Sequence, residues 1–265
     1  MENIYAGRLP EHAALHPAGL KYGSNLKVLH RRHGRPIGWV NLGSGLVTNV
    51  GVLALANEAV TLASPSGARI NTLFLANQHF TGKGTTGAAA TDIKLETIST
   101  VGGEVAVAGT QSLVSAANLQ KYRTSATITY TGTEAVTEWG LHTSATRTAT
   151  TGSPFTAGAA TTGTVTATPL TASSATVQGQ QQTIFENTAS ATPHWGLVIS
   201  NTTGVITVPA WYKVSDGTAA GTTPLNGEAY IIRPILWDRK VFAALNVVDT
   251  DTLTFTYTLT ISSGG

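Results

Sequence analysis

The sequence predicts an all-β protein, mainly an antiparallel β-sandwich of jelly-roll-like type, with an extended N-terminal arm and a small inserted β module. The clearest observation is the segment Thr252–Ser262, in which apolar residues alternate with Thr or Ser at period two. That pattern is typical of a strand with one apolar and one hydroxyl face. Shorter segments of the same kind recur between turns rich in Gly, Pro and Asn. Because Thr is β-branched, even the polar positions favour an extended chain.

Residues 1–38 are predicted to form a basic arm with little core of its own. Pro10, Pro17 and Pro36 interrupt any long helix, and the apolar residues that follow would anchor the end of the arm. Such an arm could lie on a partner subunit, where its cations would meet carboxylates or phosphates. A solvated, partly ordered tail is the alternative. The candidate contact residues are Arg8, Lys21, Lys27, Arg31, Arg32 and Arg35.

A discontinuous core domain is predicted over residues 39–145 and 235–265. Its first element is a short helix within 41–61, with Thr48 or Asn49 as N-cap. The residues expected to face inward on this helix are Val50, Leu53, Ala54 and Val60. A Gly-rich surface loop and a short helical turn, capped by Thr91 or Asp92, are predicted before Ile93. The core strands are predicted at Ile70–His79, Glu104–Ala108, Thr124–Tyr130, Ala135–His142 and Thr252–Ser262.

Thr124–Tyr130 and Ala135–His142 are separated by a short turn, which predicts that they pair as an antiparallel hairpin. Trp139 is the expected core anchor, because a large aromatic residue in a chain with few of them contributes much of the buried area. The two parts of the core domain would pack as one sandwich.

Residues 146–234 are predicted to form an inserted β-rich lobe that projects from a loop of the core domain. The Thr-, Ala- and Gly-rich run from Thr143 to Ala160 marks the start of this insertion. Trp195–Ser200 and Val205–Val208 flank a turn and predict a hairpin. Further short strands are expected at Thr164–Thr168, Gln182–Glu186 and Glu228–Arg233.

The amino-acid composition limits the classes of function that the sequence supports. Only 11% of the residues are charged, and the net charge is +2. Such a neutral, hydroxyl-rich surface suits a protein packed into an assembly better than a free enzyme, and it gives no global signal for nucleic-acid binding. The absence of Cys excludes disulfides and thiolate metal sites. The N-terminus lacks the layout of a signal peptide, and no apolar run is long enough to span a bilayer, so no membrane role is expected.

No catalytic, cofactor or metal site is predicted. The loop Gly82–Gly87 departs from a phosphate-binding loop because Lys83 precedes the second Gly. His30 and His33 have no carboxylate near them in sequence, so a metal site there is not expected. A glycan hydrolase would need two converging carboxylates. The acidic residues available are Glu134, Glu138, Asp216, Glu228, Asp238, Asp249 and Asp251, and most are predicted at strand ends or turns. For Asp238 and Arg239, a structural ion pair or sheet-edge charges are the simpler interpretations.

Three stretches of the sequence are distinctive when taken together. They are AGTQS with KYRTSATITYTGTEAVTEWGLH in Val107–His142, LWDRKVFAALNVVDTDTLTFTYTLTISSGG at Leu236–Gly265, and GKGTTGAAATDIKLET at Gly82–Thr97. These stretches resemble a family of tailed-bacteriophage virion structural proteins. The resemblance covers Val40–His142 and Leu236–Gly265. In shorter relatives the Glu-Trp-Gly-Leu strand leads almost directly to the Leu-x-Asp-Arg-x-Val-Phe strand, whereas here Thr146–Pro234 separates them.

The resemblance implies a virion component made in the host cytoplasm: a head decoration or cement protein, a head fibre or a tail component. The expected role is binding to the capsid surface and stabilising the head, with the major capsid protein and further copies of the chain, as a homotrimer, as partners. The alternative is a tail or fibre component that binds a host receptor through the inserted lobe. In that case the candidate exposed aromatics would be Trp195, Trp211 and Tyr212, whose other interpretation is the core of the lobe itself.

Overall fold

The structure is a computed structural model, and it describes ten segments of the chain. These are residues 20–61, 76–102, 106–116, 119–143, 148–150, 155–157, 161–165, 183–188, 192–202 and 205–263. In this part the secondary structure is β strands and one helix, arranged in antiparallel sheets. The all-β class predicted from the sequence is therefore confirmed.

The elements of the first half are β1 (Leu20–Arg32), β2 (Arg35–Gly43), β3 (Leu46–Val47), α1 (Asn49–Thr61), β4 (Gln78–Gly82), β5 (Val107–Ala108), β6 (Thr110–Ala116), β7 (Leu119–Thr129) and β8 (Glu134–His142). Those of the lobe are β9 (Thr148–Thr150), β10 (Thr156–Ala157), β11 (Thr162–Thr164), β12 (Thr183–Asn187), β13 (His194–Leu197), β14 (Ser200–Thr202), β15 (Val205–Thr207), β16 (Tyr212–Lys213) and β17 (Tyr230–Pro234). The chain then forms β18 (Leu236–Val247) and β19 (Thr252–Ser263).

Two five-stranded sheets share one hydrophobic core. The first sheet has the order β2-β1-β19-β7-β6 and the second has the order β3-β18-β8-β4-β5. Leu26 of β1 and Phe255 of β19 meet Trp139 of β8 in this core, and all three are fully buried. Trp139 stacks on Tyr257 with ring centroids 5.5 Å apart, which confirms Trp139 as the core anchor.

The predicted hairpin of Thr124–Tyr130 with Ala135–His142 is wrong. Strand β7 pairs with β19 and β6 in the first sheet, whereas β8 pairs with β18 and β4 in the second. The short turn between β7 and β8 therefore carries the chain from one layer to the other. The short turn between the two segments predicted that they pair with each other. In the structure, β7 pairs extensively with β19 and β8 with β18.

The arm predicted over residues 1–38 is wrong for its second half. Residues from Leu20 onward form β1, which pairs with β19 along its whole length and with β2 on its other side. Leu26 and Val28 are fully buried in the shared core. These apolar residues alternate with polar ones at period two, and this alternation outweighs the charges and prolines that suggested a tail.

The inserted lobe has two sheets of its own, with orders β16-β13-β12-β17-β9 and β10-β11-β15-β14. Their core contains Phe155, Phe185, Trp211 and Tyr230. The predicted hairpin is found between β14 and β15, but it is shorter than expected, because β13 belongs to the other sheet. A further cluster, with Ala54 of α1 and Trp195 of β13, packs the lobe against the helix.

Helix α1 begins where the sequence predicts. The hydroxyl of Thr48 accepts a hydrogen bond from the amide of Gly51 at 3.2 Å, so Thr48 is the N-cap. Val50 and Ala54 are buried, as expected, and Leu53 is half-buried. No helix in the described ranges is long and apolar enough to cross a membrane.

Loop 83–97 contains no helical turn, contrary to the prediction. Instead, the carboxylate of Asp92 accepts a hydrogen bond from the amide of Ala89 at 2.8 Å within the loop. The predicted strand Ile70–His79 lies partly outside the described residues, and β4 begins at Gln78.

Candidate functional site

The outer face of the first sheet is the surface that the fold leaves open opposite the core. Strand β19 alternates strictly: Leu253, Phe255, Tyr257 and Leu259 are buried, and the intervening Thr252, Thr254, Thr256, Thr258 and Thr260 are partly exposed. This is the apolar and hydroxyl division predicted for Thr252–Ser262. The Thr side of β19 forms the centre of the outer face.

Hydroxyl groups on this face hydrogen-bond across the strands. The Oγ1 atoms of Thr127 and Thr254 are 2.8 Å apart, and Oγ of Ser125 lies 3.0 Å from Oγ1 of Thr256. Cross-strand pairs of this kind hold side chains upright on a sheet surface. The face is therefore an ordered array of small polar groups.

Cations flank this hydroxyl array on both sides. The register places Arg31 opposite Thr252 and Lys27 opposite Thr256 on the β1 side. On the β7 side it places Arg123 opposite Thr258 and Lys121 opposite Thr260. Directly opposite residues in an antiparallel pair share a face, so all four cations belong to the outer face. Lys27, Arg31 and Arg123 are exposed and Lys121 is half-buried.

The charged residues of this sheet are all positive. Its five strands contain four cationic residues in β1, one in β2 and two in β7, which makes seven of the sixteen Lys and Arg residues of the chain. None of the five strands contains Asp or Glu. A net charge of +2 for the whole chain therefore conceals a strongly basic face.

An exposed aromatic ring adjoins the cations. Trp39 of β2 is 62% exposed and lies opposite Leu29 in the ladder. A cleft of about 340 Å³ is lined by Trp39, Lys27, Val40 and Asn41. Hydroxyl groups, cations and an indole ring thus lie together on one side of the sheet.

The tip of the β1–β2 hairpin is fixed by a buried carboxylate. Asp251 lies 3.0 Å from Nε2 of His30 and 3.0 Å from Nη2 of Arg32. Burial alone would raise the pKa of Asp251, but hydrogen bonds from Arg32 and His30 lower it to about 2. The two partners lose much of their freedom to contact another molecule, because Asp251 already binds them.

The predicted contact residues are distributed unevenly. Lys27 and Arg31 lie on the outer face, while Arg32 and Arg35 lie at or beside the hairpin tip. Arg8 lies outside the described residues, and the backbone of Lys21 pairs with Ser262. The sequence prediction missed Lys121, Arg123 and Trp39. The alternation of β7 contains the signal for the first two, since Lys121 and Arg123 are in phase with Thr127 and Thr129.

The aromatic residues proposed as exposed in the lobe are mostly buried. Trp211 is 5% exposed and packs edge-on against Phe185 in the core of the lobe. Trp195 is 2% exposed and stacks on the half-buried Tyr212 at 4.6 Å. Trp211 therefore belongs to the core of the lobe, whereas Trp195 and Tyr212 belong to the cluster that packs the lobe against α1. Trp195 and Tyr212 also line one side of a cleft of about 330 Å³, whose other side is formed by Val52 and Leu53 of α1.

Among the described carboxylates, Glu138 has a structural role. Glu138 is fully buried and accepts a hydrogen bond from Nε of Arg239 at 2.6 Å. It also accepts hydrogen bonds from the amides of Gly84, Glu96 and Thr97, so its role is to hold the Gly-rich loop. Arg239 therefore pairs with Glu138 and Asp92, and the predicted pair of Asp238 with Arg239 does not form.

Asp238 is buried, and neither of its carboxylate oxygens has a hydrogen bond of ordinary geometry. Burial raises the pKa of this group to about 6. Its neighbours are the backbone at Gly45 and the hydroxyl of Tyr257. Among the described residues, no three His, Asp or Glu side chains are grouped so that they could hold a metal ion.

Comparison with known proteins gives no relative. No family model matches the chain, and neither the curated proteins nor the solved structures contain a significant match.

Proposed function

We propose that this chain is a structural component of a tailed-bacteriophage particle and that it binds the capsid surface as a decoration or cement protein. The proposal rests on the sequence resemblance and on one structural observation. That observation is the outer face of the first sheet, which presents Lys27, Arg31, Lys121 and Arg123, while none of the five strands contains a carboxylate. A binding role accounts for this face better than a catalytic one, because none of its five strands contains a carboxylate.

The chemistry of the outer face favours an acidic protein surface as the partner. Lys27, Arg31 and Arg123 can each form charge-assisted hydrogen bonds with carboxylates. The Thr and Ser hydroxyls between them both donate and accept, so they tolerate backbone as well as side-chain groups. The major capsid protein is the proposed partner. Binding to the assembled shell would oppose its disassembly by mass action.

Attachment to empty capsids tests this proposal. Wild-type protein should co-sediment with capsids and raise the temperature at which they fall apart. The variant Lys121→Glu with Arg123→Glu should fold normally and fail to attach. Lys213→Glu, on the lobe, is the matched control and should attach like wild type. Equal attachment of the double variant and the control would refute the outer face as the binding surface.

Location on the particle tests the head assignment separately. Cryo-electron microscopy should find density for this chain over the capsid shell, and density restricted to the tail would contradict the decoration role. The homotrimer expected from the resemblance stays a prediction, which the number of copies at each binding position on the particle would check.

A tail or fibre component that binds a host receptor is the second candidate. The cleft between α1 and the lobe favours it, because Tyr212 is only partly buried and its ring forms one wall of the cleft. This candidate predicts binding to host cells that Tyr212→Ala weakens without unfolding the lobe. Unchanged cell binding in that variant would exclude the cleft as the receptor site.

A further inference from the structure

The open edge of β2 is apolar and uncharged along its middle. Strand β2 is the first strand of its sheet and pairs only with β1 among the described strands. Ile37 is 57% exposed, Trp39 62% and Val40 39%. From Pro36 to Gly43 the strand has no charged residue. Edge strands usually carry charges or a covering segment that blocks pairing with another strand, and the middle of β2 has no such charge.

We propose that β2 pairs with β2 of a second copy of this chain, antiparallel about a twofold axis. The two first sheets would then join into one continuous sheet with both outer faces on the same side. Isologous contacts about a twofold axis are the commonest way in which identical subunits associate. Main-chain hydrogen bonds between the two edges would supply much of the affinity.

The sequence of β2 fits this pairing in one register. The ladder of β2 has register shifts at Ile37 and Leu42, so the regular part of the strand lies between them, and antiparallel overlap centred on Trp39 places Gly38 opposite Val40 of the other copy. The residue at the centre is then Trp39, which lies opposite its own copy. The two Arg35 side chains fall at opposite ends of the interface, so no like charges oppose each other directly.

The faces of the strand also match in this register. Trp39 lies on the outer face, opposite Leu29, and the exposed Ile37 falls at a register shift beside the contact. Exposed parts of Ile37, Trp39 and Val40 sum to roughly 300 Å² on each copy, and the flanking strand residues bring the total for the pair towards the ~1,000 Å² of small specific interfaces. The expected dimer is therefore weak and depends on concentration.

The opposite edge of the sheet is a poorer partner for β2. Strand β6 also exposes apolar residues, with Leu113 70% and Val114 38% exposed. Every neighbouring pair in this sheet is antiparallel, so β2 and β6 run in the same direction. Joining β2 to β6 of the next copy with the faces aligned would make a parallel pair, which is less stable per residue. Self-pairing of β2 avoids this cost.

Sedimentation velocity over a wide range of protein concentration tests the proposal. Wild type should form a dimer that dissociates on dilution, and Trp39→Lys should stay monomeric with an unchanged circular dichroism spectrum. Leu113→Lys, the same kind of change on the other edge, should dimerise like wild type. A wild type that is monomeric throughout would overturn the proposal, as would a trimer that both variants disrupt.

Disulfide trapping checks the register without relying on a charge. The chain has no Cys, so a single introduced Cys can only link two copies. Opposed Cα atoms in an antiparallel pair lie within the range that a disulfide spans. Trp39→Cys should cross-link rapidly on mild oxidation, and Leu113→Cys should not. Rapid cross-linking of Leu113→Cys alone would place the contact at β6 and refute the pairing of β2 with β2.

Discussion

Nε of Arg239 lies 2.6 Å from Oε1 of Glu138, and both side chains are buried between the second sheet and the Gly-rich loop. The guanidinium also reaches Asp92 at 2.6 Å and the carbonyl oxygen of Thr86 at 3.2 Å. The two strands thus hold a loop of irregular backbone through Arg239 and its carboxylate partners Glu138 and Asp92. Because Arg239 and Glu138 have little access to water, each depends on its charged partners.

Removing either member should destabilise the protein. Arg239→Met should lower the free energy of unfolding by about 3–5 kcal/mol, because Glu138 is left buried without a cationic partner. Glu138→Gln should cost less, because Arg239 keeps its ion pair with Asp92. Urea unfolding monitored by tryptophan fluorescence measures this loss. The double variant should cost less than the sum of the single variants, since no buried lone charge remains.

A surface ion pair in the same region serves as the control for that prediction. Nζ of Lys83 lies 3.0 Å from Oε1 of Glu134, and the Lys83 side chain is 40% exposed. Lys83→Ala should change the free energy of unfolding by at most about 1 kcal/mol. If Lys83→Ala lost as much free energy of unfolding as Arg239→Met, burial would not explain why the Arg239 ion pair stabilises the protein.

Gly82 and Gly87 should respond differently to the same substitution. A Cβ at Gly82 would collide with the carbonyl oxygen of Thr97 and lie 2.7 Å from Oε2 of Glu138, whereas a Cβ at Gly87 would meet nothing within 4 Å. Gly82→Ala should therefore cost about 1–3 kcal/mol of stability, because a backbone oxygen cannot move freely. Gly87→Ala should stay within about 0.5 kcal/mol of wild type. Equal thermal denaturation midpoints for the two variants would contradict this packing.

The fold was most predictable where alternation was strict and uninterrupted. The strand predicted at Thr252–Ser262 is β19, which extends to Ser263, and the cap at Thr48 follows from local hydrogen bonding alone. Such features depend on a few neighbouring residues, so the sequence contains most of what determines them. The burial of Trp139 was predictable for the same reason.

Strand partners were less predictable, because pairing depends on residues far apart in the chain. Strand β7 lies next to β8 in sequence, but its partner β19 is more than a hundred residues away. The residues of the candidate site were difficult to predict for the same reason. Lys27 and Arg123 join one face only because β19 separates β1 from β7, and nothing local to either residue indicates that.

Asp238 should make the protein less stable as the pH rises. Its pKa is raised from 3.8 to about 6 by burial, so the folded state holds a proton that the unfolded state releases. The resulting stabilisation is complete below about pH 4, and roughly 3 kcal/mol is lost as the pH rises through 6. Asp238→Asn cannot ionise, so the variant should exceed wild type in stability at pH 7 and lose this advantage towards pH 4. Urea unfolding at several pH values measures the difference.

Asp251 should change the stability with pH in the opposite direction, and it serves as the comparison for Asp238. The pKa of its carboxyl is lowered to about 2, so the stabilisation that it provides is present above pH 4 and lost as the pH falls towards 2. Asp251→Asn should therefore be less stable than wild type at pH 7 and approach it in acid. If the stability of the two variants, relative to wild type, changed with pH in the same direction, burial and charge pairing would not shift the pKa values of Asp238 and Asp251 in opposite directions.

Attachment through the outer face should weaken as salt rises. At physiological ionic strength, charges on an exposed surface are screened over about 8 Å, so contacts made by Lys27 and Arg123 depend on salt concentration. Lys27→Gln with Arg123→Gln should reduce capsid binding most at low salt and leave a flatter salt dependence, mainly through slower association. Thr256→Val, which removes a hydroxyl from the same face, should weaken binding by a similar factor at every salt concentration. Binding of wild type that does not change with salt would exclude an electrostatic role for this face, whatever the partner.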